Sequence, residues 1–183
     1  MAEFKECVLT QKGMALLAKV QAGLCSVVLT KAASGDGSYS DGEDLTARTA
    51  LKSQKQAFPI DTVTVQNSTN VYVKFTITNH PTGGTDLEHG YYIKEVGVFA
   101  TDPDDGEILY CIAIAETDKW DYMPAYNDLL PSTNTVEILA EVTNASTVTI
   151  EAPNFHYLYD DDTGDKYILG IKNGLMYYEE VTE

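Results

Sequence analysis

Two periodicities divide the chain. Met14, Leu17 and Val20, with Leu24 beyond them, recur at helical spacing after Thr10, a residue suited to capping, and before Gly23, a residue suited to stopping. This pattern predicts a helix over residues 11–22. Residues 26–31 read as a strand, and the two glycines of Ala32-Ala33-Ser34-Gly35-Asp36-Gly37 predict a loop after it. Residues 44–51 read as a short helix. From Phe58 the period becomes two: Val71, Val73, Phe75 and Ile77 alternate with Tyr72, Lys74, Thr76 and Thr78. Val63 and Val65 supply the antiparallel partner across a turn at 66–70. Residues 91–100 form the next strand, and Asp102-Pro103-Asp104-Asp105-Gly106 is a strong turn. The following run, 107–115, is apolar on both faces and is therefore expected at the centre of the sheet. Residues 116–134, which carry the only tryptophan, Trp120, read as a long loop. Val136, Ile138, Ala140 and Val142 alternate with Glu137 and Glu141, and 146–151 complete the main domain.

Pro153 marks the boundary to a short, Tyr-rich tail. Asn173-Gly174 between two β-rich runs signals a type I′ hairpin, and residues 160–165 make a second turn, so the tail reads as a three-stranded meander. Such a meander is marginal alone in water and needs a surface to dock on. The fold class is thus α+β: mainly antiparallel β-sheet with a packed N-terminal helix and a small C-terminal β-meander, in domains 1–152 and 153–183. Within strand 91–100 the apolar phase slips from Tyr91 and Ile93 to Val96 and Val98. That slip predicts a bulge, with Gly97 at positive φ or close against another backbone.

Charge narrows the partners. Against 28 acidic residues stand 12 basic ones, a net −16 over 183 residues. So acidic a surface repels phosphate, which excludes nucleic acid as a partner. The longest apolar run, 108–115, is far too short to insert across a bilayer. Cys7, Cys25 and Cys111 form no paired framework and are read as reduced thiols of a chain assembled in a cytoplasm. No basic stretch followed by an apolar one opens the chain, so no signal peptide is expected.

Candidate chemistry is sparse. His80 and His89 flank a Gly-rich loop and could form a metal or acid–base pair, but solvated loop histidines are the better reading. Asp160-Asp161-Asp162 misses the spacing of a calcium loop and is read as a solvated turn. Glu95 alone interrupts a strand's apolar stretch. A buried Glu needs a partner, and an ion pair or a backbone cap is expected rather than catalysis. The site expectations are therefore no catalytic, cofactor-binding or metal residues, and the chain is read as not an enzyme.

The run Gly90-Tyr91-Tyr92-Ile93-Lys94-Glu95-Val96-Gly97-Val98-Phe99-Ala100, then a turn and Glu107-Ile108-Leu109-Tyr110-Cys111-Ile112-Ala113, resembles the N-terminal domain of phage tail-fibre (tail-collar fibre) proteins. These belong to contractile-tailed phages and phage-tail-like bacteriocins. Leu9-Thr10, Gly13 and Ala15-Leu16-Leu17-Ala18 resemble that family's first helix, residues 30–37 the strand and glycine loop that follow it, and 134–148 its closing strand. The resemblance implies a structural virion protein, a tail fibre or fibre adaptor attached to a baseplate protein and supporting host recognition. It implies self-association, with a trimer favoured, and a distal fibre chain or a host surface glycan as further partners. It places the protein in a virion tail or an extracellular contractile particle. No repetitive shaft sequence follows, so a truncated fibre, a short fibre and an adaptor all stay open. The alternative reading is a carbohydrate- or host-surface-binding module working through the Tyr-rich hairpins.

Overall fold

The computed structural model describes residues 3–66, 70–82, 84–141, 157–159, 163, 166–172 and 175–180. The chain falls into two compact units, Met1–Ala152 and Pro153–Glu183.

The first unit is built on a five-stranded antiparallel sheet. Its strands are β1 (Val8–Leu9), β2 (Val28–Gly35), β3 (Gln54–Phe58), β7 (Glu95–Asp102) and β8 (Gly106–Ile114), in the order β1-β8-β7-β2-β3. A three-stranded sheet, ordered β10-β5-β4, combines β4 (Thr62–Gln66), β5 (Asn70–Thr78) and β10 (Thr133–Glu141). A short ribbon pairs β6 (Tyr91–Ile93) with β9 (Asp121–Met123). The main core unites Leu29, Val96 and Val98 of the large sheet with Val73, Phe75 and Ile77 of the second and Ile93 of the ribbon. A smaller core of Ala33, Leu51, Phe99, Leu109 and Ile112 covers the opposite face of the large sheet.

Helix α1 (Gln11–Gln21) has the expected ends: the Thr10 side chain accepts from Gly13 N, and Gly23 takes φ +71° beyond the last turn. Its buried face differs from the expected one. Gly13, Leu16 and Leu17 are buried, whereas Met14 is 45% and Leu24 75% exposed. The reason is where the helix sits. Thr10 N donates to Tyr110 O at 3.0 Å, so the first turn lies flat on β8 and only Gly13 fits above the Tyr110 carbonyl. At the other end of α1, Lys19 Nζ reaches the buried Asp102 at 2.6 Å, and Asp102 also accepts from the backbone of Asp104 and Asp105. One side chain thereby ties the helix to the β7–β8 turn.

Other expectations are corrected. β2 runs on through Ala32, Ala33 and Ser34, all fully buried between β3 and β7, so its glycines end a central strand rather than open a loop. Residues 44–51 form turns, not a helix, because Asp44 Oδ1 accepts from Thr46 N and Oγ1 and holds a local turn instead. The strand read over 91–100 is two strands that break at Lys94, and part of the 116–134 loop is the partner β9. β3 was not anticipated. The centre of the sheet is β7; β8 lies beside it, its outer edge paired only with two-residue β1 and a bridge from Phe4 to Ala115. The phase slip has its cause in the break at Lys94, not in a bulge at Gly97. The irregularities lie on the neighbours instead: Val98 pairs Cys111 while Phe99 pairs Leu109, leaving Tyr110 extra, and a second shift lies between Leu29 and Lys31. Gly97 is not among the glycines at positive φ. Its close approach is to side chains, since a Cβ there would lie 2.7 Å from Leu109 Cδ1 and 3.0 Å from Leu51 Cδ2.

β4 and β5 form the expected antiparallel hairpin, with Val63 opposite Val73, and β10 pairs antiparallel with the other edge of β5, with Val136 opposite Phe75. The strand expected at 146–151 lies outside the described residues. In the second unit, β11 (Tyr157–Tyr159), β12 (Lys166–Lys172) and β13 (Leu175–Glu180) form the expected antiparallel meander. Lys172 pairs with Leu175 where the Asn-Gly turn was expected, although residues 173–174 themselves lie outside the described set.

Candidate interaction surface

Lys94 and Glu95 organise the surface from the backbone outwards. At Lys94 the chain leaves the ribbon and enters the large sheet. Its N–H donates to Gly35 O at 2.9 Å, and its carbonyl accepts from Ala115 N at 2.8 Å. Glu95 points inward and is 0% exposed. Its Oε1 accepts from Gly37 N at 3.1 Å and Ser53 N at 2.7 Å; its Oε2 accepts from Lys52 N at 2.9 Å and from the Tyr39 hydroxyl. No Lys or Arg forms an ion pair with it among the described residues. Of the two roles expected for Glu95, the structure selects the backbone cap. Burial and then the bond to Glu95 push the Tyr39 phenol well above its ordinary value of 10.0. Gly37 is required at its position, because a Cβ there would lie 2.6 Å from Lys52 Cβ and overlap the Glu95 carboxylate. Residues 36–53 contain no helix or strand, and this one carboxylate fixes both ends of the segment.

On the outer side of the ribbon lies an aromatic strip. Period two along β6 and β9 buries Tyr91, Ile93 and Met123 and turns Tyr92 and Tyr122 outward, 51% and 56% exposed. These two tyrosines are register partners with ring centroids 5.1 Å apart, and Trp120 meets Tyr92 edge-on at 6.2 Å. Lys94 Nζ sits 4.3 Å from the centre of the Trp120 ring and 3.3 Å from Ser38 Oγ. Where this end of the strip meets residues 37–41, a pocket of about 60 Å³ opens, lined by Lys5, Lys94, Trp120, Ser38, Tyr39 and Asp41 among others. The strip was not foreseen. Its signal was the alternation of Trp120 and Tyr122 with Asp121 and Met123, hidden by reading the segment as loop.

The two histidines make different contacts, though Asp86 lies near both. His80 Nδ1 lies 2.5 Å from Asp86 Oδ1, and its ring stacks on Tyr126 at 4.3 Å. His89 lines an open groove of about 420 Å³ with Asp36, Lys55, Asp86 and Glu88. Among the described residues, no group of three or more His, Cys, Asp or Glu is arranged to hold a metal ion. Cys7, Cys25 and Cys111 are free thiols, and hydrogen bonding to Cys111 together with burial holds Cys7 protonated. No helix among the described residues is long and apolar enough to cross a membrane. Residues 160–162 and His156 lie outside the described set.

A family model described as phage tail-collar fibre protein, N-terminal, matches residues 1–162. Comparison with curated proteins and with solved structures yields no match.

Proposed function

This chain belongs to the phage tail-collar fibre family through its N-terminal domain, and from that premise we propose that it is a tail fibre or fibre adaptor that attaches to the baseplate. The family is a structural one, and the chain is a structural component of a phage tail or related particle. The observation that carries the finer reading is the extent of the match, residues 1–162, which takes in the whole first unit with its helix, sheets and aromatic strip. In this reading residues 1–152 form the attachment domain and residues 153–183 contact a neighbouring subunit or a distal fibre component. Self-association as a trimer would bury exposed sheet edges and give a fibre a symmetric seat. An attachment domain must hold its shape under load. The Glu95 cap suits that need, since it fixes a long irregular segment to the central strand.

The test is localisation. Particles assembled with an epitope-tagged full-length chain are expected to incorporate it and to show gold label at the baseplate end of the tail. Label confined to the distal tips, or absent from purified particles, would overturn attachment.

A further inference from the structure

We propose that the pocket beside Trp120 binds the carboxylate of an acidic, extended segment of a partner protein, with the Tyr92–Tyr122 strip as the adjoining contact. Charge is the first argument. In this acidic chain, Lys12, Lys19, Lys31, Lys52, Lys55 and Lys119 are each paired with the chain's own carboxylates. Lys5 and Lys94 form no ion pair among the described residues, although the Lys5 charge also acts on Glu116, and both line this pocket. The lining itself sets two ammonium groups against one carboxylate, Asp41, a local positive excess in a strongly acidic chain, with the Glu95 carboxylate held behind the wall by Gly37 and Tyr39. A partner carboxylate is complementary to that excess.

Size is the second argument. About 60 Å³ admits the head of a Glu or Asp side chain or a chain terminus. It is far below the ~300 Å³ at which pockets begin to enclose small molecules, so a sugar ring does not enter. The third argument is rigidity. Residues 37–39 form one wall and are held by Glu95, while the Lys94 backbone is held by Gly35 and Ala115. The ammonium of Lys94 is thus presented at a fixed place, already resting on Trp120, and little ordering is left for binding to do. Beyond the pocket, two half-exposed tyrosines extend the surface with the residue type that interface cores favour. The proposal rests on the tail-attachment reading only for the source of the segment; the pocket chemistry stands without it.

Trp120 is the only tryptophan and lies against Lys94, so it reports on the site. Full-length protein is titrated at low salt with acetyl-Glu-Gly-Glu-Gly-Glu-amide, its Gln counterpart and sialyllactose, with emission excited selectively from tryptophan. A saturable change with the Glu peptide and none with the Gln peptide is expected. Lys94→Gln should weaken that binding about fivefold, and Lys5→Gln should weaken it in the same direction, with unchanged circular dichroism in both. No saturable response to the Glu peptide, an equal response to the Gln peptide, or saturation by sialyllactose in place of the peptide would each overturn the proposal. So would unaltered binding in both variants. Failure of particle incorporation would instead strike the attachment reading and leave this titration to decide the pocket.

Discussion

Glu95 keeps its carboxyl group in the interior with no ion pair among the described residues, because three backbone N–H groups and one hydroxyl satisfy both oxygens. An amide fits this set of donors poorly. In Glu95→Gln an NH₂ replaces one oxygen; at Oε2 the Tyr39 hydroxyl can turn to accept from it, but the Lys52 N–H loses its acceptor, and the bonds that remain lose their charge. We expect a loss of about 2–3 kcal/mol in stability, read from the urea midpoint. Glu95→Ala should cost at least as much, since it orphans all four donors. The sequence singled out Glu95 as a buried acid in need of an ion pair or a backbone cap, because it stands alone in an apolar run. It could not name the donors, which lie 58, 43 and 42 residues away at Gly37, Lys52 and Ser53. Gly97 was legible in the same partial way. The slip in apolar phase signalled a bulge with Gly97 at positive φ or close against another backbone, but Gly97 is not at positive φ and its nearest neighbours are the side chains of Leu109 and Leu51.

Helix α1 shows what local pattern can and cannot specify for an element. Its cap, its length and its terminating glycine follow from residues 10–23 alone, and all three match. Which face it buries depends on β8, a strand about a hundred residues away, and there the apolar spacing of Met14 and Leu24 misled. Strand 91–102 is a second case. Periodicity identifies extended chain but cannot tell that Tyr91–Ile93 pairs with β9 while Glu95 onward pairs with β2 and β8. Gly13 yields a prediction with a definite sign. In an unhindered helix Gly→Ala gains about 1 kcal/mol. At Gly13 the new methyl would overlap the Tyr110 carbonyl, which is backbone and cannot swing aside. Gly13→Ala is therefore expected to destabilise by more than about 1 kcal/mol in thermal or urea unfolding, and a stabilised variant would show that the helix stands off the sheet.

For the molecule as a whole, the two units carry separate expectations. Residues 1–152 hold the two cores, the Glu95 cap and the pocket, and should fold without the tail. Expressed beside the full chain, the 1–152 fragment is expected to keep its β-rich circular dichroism and a cooperative melt, and to attach to particles that lack the tail's contact. An unfolded fragment would make the tail part of the core; complete infectious particles would remove the tail's contact role. The docking of α1 on β8 also has a consequence in time. Thr10 Oγ1 donates to Leu109 O at 2.5 Å across 99 positions, and Leu9 pairs with Cys111. A ribosome adding roughly 5–20 residues each second needs several seconds to make the strand on which the first helix rests. Throughout that interval Leu16 and Leu17, which end fully or almost fully buried, have no native surface to cover them. Helix α1 thus cannot settle until β8 has been made, and a nascent copy stalled before residue 112 would present those leucines to whatever hydrophobic partner, chaperone or sister chain, reached them first.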